Sequence, residues 1–437
     1  MNPEDSGRPV LRRAISRWEV FGLSINDVIG SGVYLLPAAA AALLGAASTL
    51  AVVLAGLAVG LLVMCFAAAA SYFDEPGGGY LYTREAFGRF IGFEVGWMTW
   101  LARIASVASL CNGLALATGF LWPAATAGLS RAALITATLV LLTWINVVGV
   151  KAGTRVAIVL VISKTLPLIF FIVVGLFFVD WSRVATIDFG QAGDLGEAAL
   201  LLLFAYAGFE NTPAAAGEFK NPRRDVPVAL PLAMLFITVV YTLVQVVAVG
   251  TLIGLAQADA PLAEAAQQFA GSGAALLMTV GGMISIIGNV GNTTLIGPRY
   301  LFALANDGFG PRVLSRIHAG YRTPAAAIIT QSAVALALAL SGSFVQLAML
   351  SVIARLATYI GTAAAVPVLR KRFADRPDAM LLPGGSLIPA GALVLSLVFL
   401  ASATWQNLVA GLIGLAIGGV IYMLRSEPRT TSSTIPT

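Results

Sequence analysis

Apolar residues in this chain come in long runs, and the runs match the length of a bilayer crossing. A helix needs about 20 apolar residues to span a hydrocarbon core of about 30 Å. Twelve such stretches lie at roughly 18–43, 48–73, 90–122, 132–149, 154–179, 196–218, 228–254, 273–304, 325–341, 344–368, 386–403 and 405–424. Several exceed 25 residues, which predicts tilt, breaks or extension beyond the bilayer. Only 11% of the 437 residues are charged, against about 25% in a soluble protein. That balance excludes a soluble enzyme, a nucleic-acid binder and a disordered scaffold. The expected fold class is an all-α polytopic membrane protein with twelve transmembrane helices and no separate soluble domain.

The positions of the charges give the orientation. With the N-terminus in the cytoplasm, 21 of the 26 lysines and arginines fall in inside segments and only Arg131 and Arg183 outside, as the positive-inside rule requires. Both termini are therefore expected in the cytoplasm and the protein in the plasma (inner) membrane. The basic balance of the chain is then mostly a topology signal, so no nucleic-acid partner is expected. With a polar, basic stretch over the first 17 residues and a long, interrupted first run, no cleavable signal peptide is expected. Cys65 and Cys111 lie in apolar runs and His318 is the single histidine. Neither a disulfide framework, a metal site, a cofactor nor a histidine relay is expected. Ala258–Phe269 reads as a short amphipathic helix over the outer face, and residues 425–437 as a polar cytoplasmic tail.

Two runs are interrupted at mid-depth. The first contains Gly30-Ser31-Gly32 with Pro37 close behind, and the sixth contains Gly208, Glu210 and Pro213. Each glycine weakens a helix by about 1 kcal/mol relative to alanine. Runs 1–5 and 6–10 form blocks of similar length, and five crossings is an odd number, so the second block is expected inverted. The expected divisions are a cytoplasmic segment 1–17, a first repeat 18–180, a second repeat 195–369, two further helices within 385–424, and the tail 425–437. Interrupted segments at matching positions of inverted halves point to a substrate site at the midplane. Glycines that merely permit close helix packing are the plainer alternative, and it is weakened by the matching break in run 6.

The break dictates the chemistry. Unwinding frees N–H groups at Ser31, Gly32 and Val33, whose partial positive charge suits a carboxylate. Carbonyls before the break near Val28, and in run 6 near Phe204 and Ala207, suit an ammonium. Together they read the zwitterion of an amino acid.

These residues carry a resemblance. Gly30-Ser31-Gly32-Val33-Tyr34 with Pro37, Pro76-Gly77-Gly78-Gly79-Tyr80-Leu81-Tyr82 with Phe87-Gly88, Phe204-Ala205-Tyr206 with Gly208-Phe209, Glu218 through Pro227, and Asn306-Asp307-Gly308 with Pro311 are together similar to the amino acid–polyamine–organocation superfamily of transporters. That superfamily shares the LeuT-like inverted-repeat fold with helices 1 and 6 discontinuous. The likeness covers nearly the whole chain. It implies loops after helices 2 and 6 at the second and fourth motifs. It implies that the substrate carboxylate meets the amides of Ser31 and Gly32 and that the amino group meets the carbonyls of Val28, Phe204 and Ala207. Gly30, Gly208, Phe209 and Glu210 complete the implied pocket, with Phe204 as the gate that closes over it.

Five ionisable residues sit near mid-depth: Asp27, Arg103, Lys164, Glu210 and Arg355. Such residues are costly in a membrane and are functional candidates by default. Arg103 and Arg355 read more simply as members of an ion-pair network. Glu210 either caps its half-helix or serves the pocket. Lys164 resembles the helix 5 lysine of relatives in which an ammonium stands where sodium-coupled members bind the ion. Lys164 and Asp27 are read as the coupling site: Asp27 either pairs with Lys164 or draws a cationic substrate, and the carbonyls of the helix 1 break, Asn289 and Asn292 are the other candidate partners of Lys164. The expected function is sodium-independent secondary transport of an amino acid by alternating access, by exchange or proton symport, and not an enzymatic one. Transport of an organic amine or polyamine, and a sensor or complex subunit built on a transport fold, are the alternatives.

Overall fold

The computed structural model describes residues 13–149, 154–185, 195–376 and 378–424. Most of the N-terminal segment, Lys151, the side chain of Arg155 and the tail 425–437 lie outside them. The helices in chain order are α1 (Arg17–Val28), α2 (Gly32–Leu44), α3 (Ser48–Ala70), α4 (Gly78–Phe87), α5 (Arg89–Gly119), α6 (Gly128–Val148), α7 (Thr154–Gly175), α8 (Trp181–Ala185) and α9 (Leu195–Tyr206). A 3₁₀ segment, Phe209–Glu218, then precedes α10 (Pro222–Thr251), α11 (Pro261–Asn306), α12 (Ala325–Ser341), α13 (Phe344–Arg372), α14 (Leu387–Ala401) and α15 (Trp405–Met423). Among the described residues eight helical stretches are long and apolar enough to cross a membrane, and α12 and α14 are shorter apolar helices. The protein is a helical, multi-pass membrane protein.

The helices begin and end where local chemistry says they should. The Glu19 carboxylate accepts the Ser16 N–H at 2.7 Å and so satisfies a backbone donor at the start of α1. Pro222 and Pro261 open α10 and α11, at the position where the missing N–H costs nothing. Two stretches expected as loops are helical instead. Gly77 (φ 145) and Gly78 (φ 52) turn the chain, and α4 then runs through Tyr80 and Tyr82. The motif after the sixth run is loop only as far as Asn221, because Pro222 starts α10. The segment expected as a helix over 258–269 starts at Pro261 and continues into α11, bending at Gly271 (φ 76).

At the centre stands α5, buried along nearly its whole length, packed against α13 and α11. On the other side α10 packs against α3 and α1. By contrast α15 leaves most of its side chains uncovered. This arrangement surrounds α1, α2, α9 and the 3₁₀ segment with buried neighbours.

Candidate functional site

The two interrupted segments touch one another at their breaks. Helix α1 stops because Ile29 is extended (φ −70, ψ 101), and the helical path resumes at Gly32. The second break turns at Gly208 (φ 128), a conformation that favours glycine. A Cβ on Gly208 would run into the Asp27 carbonyl, and one on Gly32 would lie 2.7 Å from Ala205 Cα. Both glycines therefore permit backbone-to-backbone contact. Helix interruption and close packing, offered by the sequence as alternatives, occur together.

The groups freed by the first break are met from three sides. Lys164 Nζ, fully buried, donates to Asn26 O at 2.8 Å and Ile29 O at 2.7 Å. Tyr34 Oη in turn donates to Lys164 O at 2.9 Å. From α10, Tyr241 Oη lies 3.2 Å from Val28 O and 3.1 Å from Ala205 O, so one hydroxyl touches both broken segments. From α11, Asn289 donates to Asp27 O at 3.3 Å, and Ser285 Oγ lies 3.3 Å from Gly30 O. The Asp27 carboxylate accepts from Asn292. Of the partners expected for Lys164, the carbonyls of the break receive its hydrogen bonds, while Asn289 and Asn292 serve Asp27.

Between the breaks lies a small polar cavity. Asp27, Ser31, Phe204, Asn211, Arg103 and Arg355 contribute to its wall. The first amides of α2 have no partner within their own helix, and Ser31 Oγ and Asn211 Oδ1 are buried without a hydrogen-bond partner. Phe204 closes one side and meets Phe344 edge-on, with ring centroids 6.0 Å apart. An ion cluster adjoins the cavity. Glu210 pairs with Arg355, accepts the Gly208 N–H at 2.9 Å and the Tyr359 hydroxyl at 3.3 Å, and lies 3.6 Å from Arg103 Nη2. Glu210 thus caps the second break and anchors a network at once.

The sequence-derived residues divide three ways. Val28, Gly30, Gly32, Ala207 and Gly208 border the cavity together with Asp27, Ser31 and Phe204. Lys164 bonds the carbonyls of the α1 break and, like Glu210, does not border the cavity. Phe209 does not border it either. It stacks on Tyr359 and meets Phe66 edge-on, because one residue past the Gly208 turn the chain faces the opposite way. The sequence reading also passed over Tyr241, Ser106 and Asn211. Only Asn211 carried a local signal, a polar residue beside Glu210 in the broken run. Of the carbonyls expected for an ammonium, those of Val28 and Phe204 already accept from Tyr241 Oη and Ala207 N, and each keeps a second lone pair.

At one end of the bundle the two broken segments are also joined. Ile15 pairs with Phe219 as an isolated bridge, and the N–H groups of Ala14 and Ile15 both donate to Glu218 O. Arg17 Nε bonds Asp225 at 3.1 Å, and Asp74 pairs with Arg223. Nearby, Tyr80 Oη donates to Asp307 at 2.6 Å. Burial, reinforced by that carboxylate, pushes the Tyr80 hydroxyl up to about 12, so it stays a protonated donor at neutral pH.

Comparison with known proteins shows what the chain is similar to. The family described as amino acid permease matches residues 15–424. The branched-chain amino acid permease BcaP of Bacillus subtilis is 29% identical, over 97% of this chain and 95% of that protein. The serine/threonine exchanger SteT of the same organism is 30% identical, over 98% of this chain and 99% of that protein. Its methylthioribose transporter is 29% identical, over 95% and 94%.

Proposed function

We propose, on the premise that this chain belongs to the amino acid permease family, that it is a sodium-independent secondary transporter of amino acids working by alternating access. The family and these relatives are transporters and not enzymes, so the coarse activity is movement of a small molecule across a membrane. The finer reading rests on one observation. The two breaks abut, and Val28, Ser31, Gly32, Phe204 and Ala207 from both segments border one polar cavity. Ser31 and Gly32 take the substrate carboxylate, and the carbonyls of Val28, Phe204 and Ala207 take its ammonium. Gly30 and Gly208 hold the breaks open to it, and Phe204 closes over it. Phe209 and Glu210 act from behind the wall.

In this reading the chain crosses the plasma membrane twelve times with both termini cytoplasmic. Residues 18–180 and 195–369 form the inverted repeats, and residues 385–424 the last two helices. Lys164, bonded to Asn26 O and Ile29 O, supplies the charge a sodium ion would otherwise bring, and coupling is by exchange or protons. Transport of an organic amine or polyamine is the weaker reading, since Arg103 and Arg355 share the cavity wall with Asp27. The test is uptake of radiolabelled amino acids into proteoliposomes in sodium-free and sodium-containing buffer. Uptake without sodium, competed poorly by the matching decarboxylated amines, is the expected result. A strict sodium requirement, or equal affinity for an amino acid and its amine, overturns it.

A further inference from the structure

The ionisable side chains around the two breaks do not balance. Arg103, Arg355 and Lys164 supply three positive charges, and Asp27 and Glu210 two negative ones. Lys164 is occupied by two carbonyls. Arg355 is occupied by Glu210, by Ser351 Oγ at 3.1 Å and by Ser106 Oγ at 2.6 Å. Glu210 in turn is shared: one oxygen accepts from Arg355, and the other accepts from Gly208 and Tyr359. Arg103 is the least satisfied of the three cations. It is 1% exposed and borders the cavity, and its Nε and Nη2 have no hydrogen-bond partner. Its nearest carboxylate oxygen, at 3.6 Å, is the one already bonded to Arg355.

A guanidinium cannot shed its charge, and a buried charge that shares its one counter-ion and leaves its own donors without hydrogen bonds is disfavoured. Its planar fork matches a carboxylate bidentately. The proposed zwitterion does not fill that need, because its carboxylate goes to the amides of α2 and its ammonium to the carbonyls of the breaks. We infer that the substrate is an amino acid with an anionic side chain, of the aspartate and glutamate class, whose second carboxylate is received by Arg103. Such a substrate carries one net negative charge and cancels the single positive excess around the breaks. This inference rests on the transporter reading above, and it adds the class of side chain. Ser106 and Asn211 also border the cavity.

The test is calorimetric binding to the purified full-length protein with L-glutamate, L-glutamine, L-aspartate, L-asparagine, L-leucine and L-lysine. At least one acid binds tenfold or more tighter than its amide, and L-lysine binds worst. In Arg103→Gln the acid-to-amide ratio falls to about one, and Arg103→Lys retains part of it. Amides, leucine or lysine binding as tightly as the acids in the parent overturns the inference and leaves the transporter reading standing. So does an Arg103→Gln protein that keeps the parent ratio. Should Arg103→Gln not fold, the parent ratio and Arg103→Lys decide the matter. Binding of none of the six overturns the amino-acid reading itself, and this inference with it.

Discussion

Replacing Gly32 by alanine adds one methyl group at the point where α2 meets α9. That methyl would lie 2.7 Å from Ala205 Cα and 2.9 Å from Ala205 Cβ, whereas carbon atoms rest at about 3.5–4.0 Å. Relief requires the two half-helices to separate by about 1 Å. The obstacle is backbone, which has no rotamer to change, and Ala205 O is held by Tyr241. Overpacking of this kind costs about 1–3 kcal/mol, which is roughly fivefold to 150-fold in an equilibrium constant. The cost falls on the arrangement that presents the α2 amides, so substrate affinity should drop within that range. Gly22→Ala and Gly60→Ala are the controls, because nothing lies within 4 Å of a Cβ at either position. Initial uptake at low substrate concentration in proteoliposomes, with elution on gel filtration to verify folding, measures the effect. Parent-level uptake by Gly32→Ala would refute the claim that this backbone contact shapes the site.

Lys164→Ala removes two charge-assisted hydrogen bonds of about 1.5–3 kcal/mol each, so uptake should fall at least tenfold with or without sodium; an active variant with an unchanged pH profile would reduce the lysine to packing. Phe204→Ala opens the side of the cavity facing Phe344, and it should slow uptake while keeping the ranking of amino acids; unchanged rate and affinity would remove Phe204 as the gate. Tyr241→Phe deletes the hydroxyl whose single proton is shared between Val28 O and Ala205 O, worth about 0.5–1.5 kcal/mol, and should slow uptake severalfold. Wild-type kinetics there would show that the shared hydroxyl is incidental.

The breaks were legible because they are written locally. Gly30, Gly32 and Gly208 fall inside apolar runs that otherwise want to be helix, and no distant residue is needed to see the conflict. Run length likewise located the long helices, since it follows from the solvent alone. What stayed hidden depends on which way a side chain faces and on pairings across the chain. Tyr241 sits in the middle of α10 among apolar residues, and only packing against α1 reveals its role. Arg103 and Arg355 read as an ion-pair network, and for Arg355 the pairing with Glu210 fits that reading. The same pairing leaves Arg103 only a shared oxygen of Glu210 and no hydrogen bond at Nε or Nη2, which the sequence does not disclose. Phe209 was misplaced because adjacency in sequence does not survive a turn with φ 128 at Gly208.

Under the alternating-access reading proposed above, the contacts between the two broken segments take on a kinematic meaning. They are joined at one end through Ile15 and Phe219, at the middle where Gly208 meets the Asp27 carbonyl, and across Tyr241. Two separate hinges would flex independently and sample four combinations of open and shut. Hinges tied at several points form a closed linkage, whose parts cannot turn without turning each other. Such a linkage disfavours the combination in which one segment has swung and the other has not, the geometry through which solute would leak. Hydrogen bonds far from any substrate atom thus bear on how tightly movement of the substrate is coupled to movement of the protein.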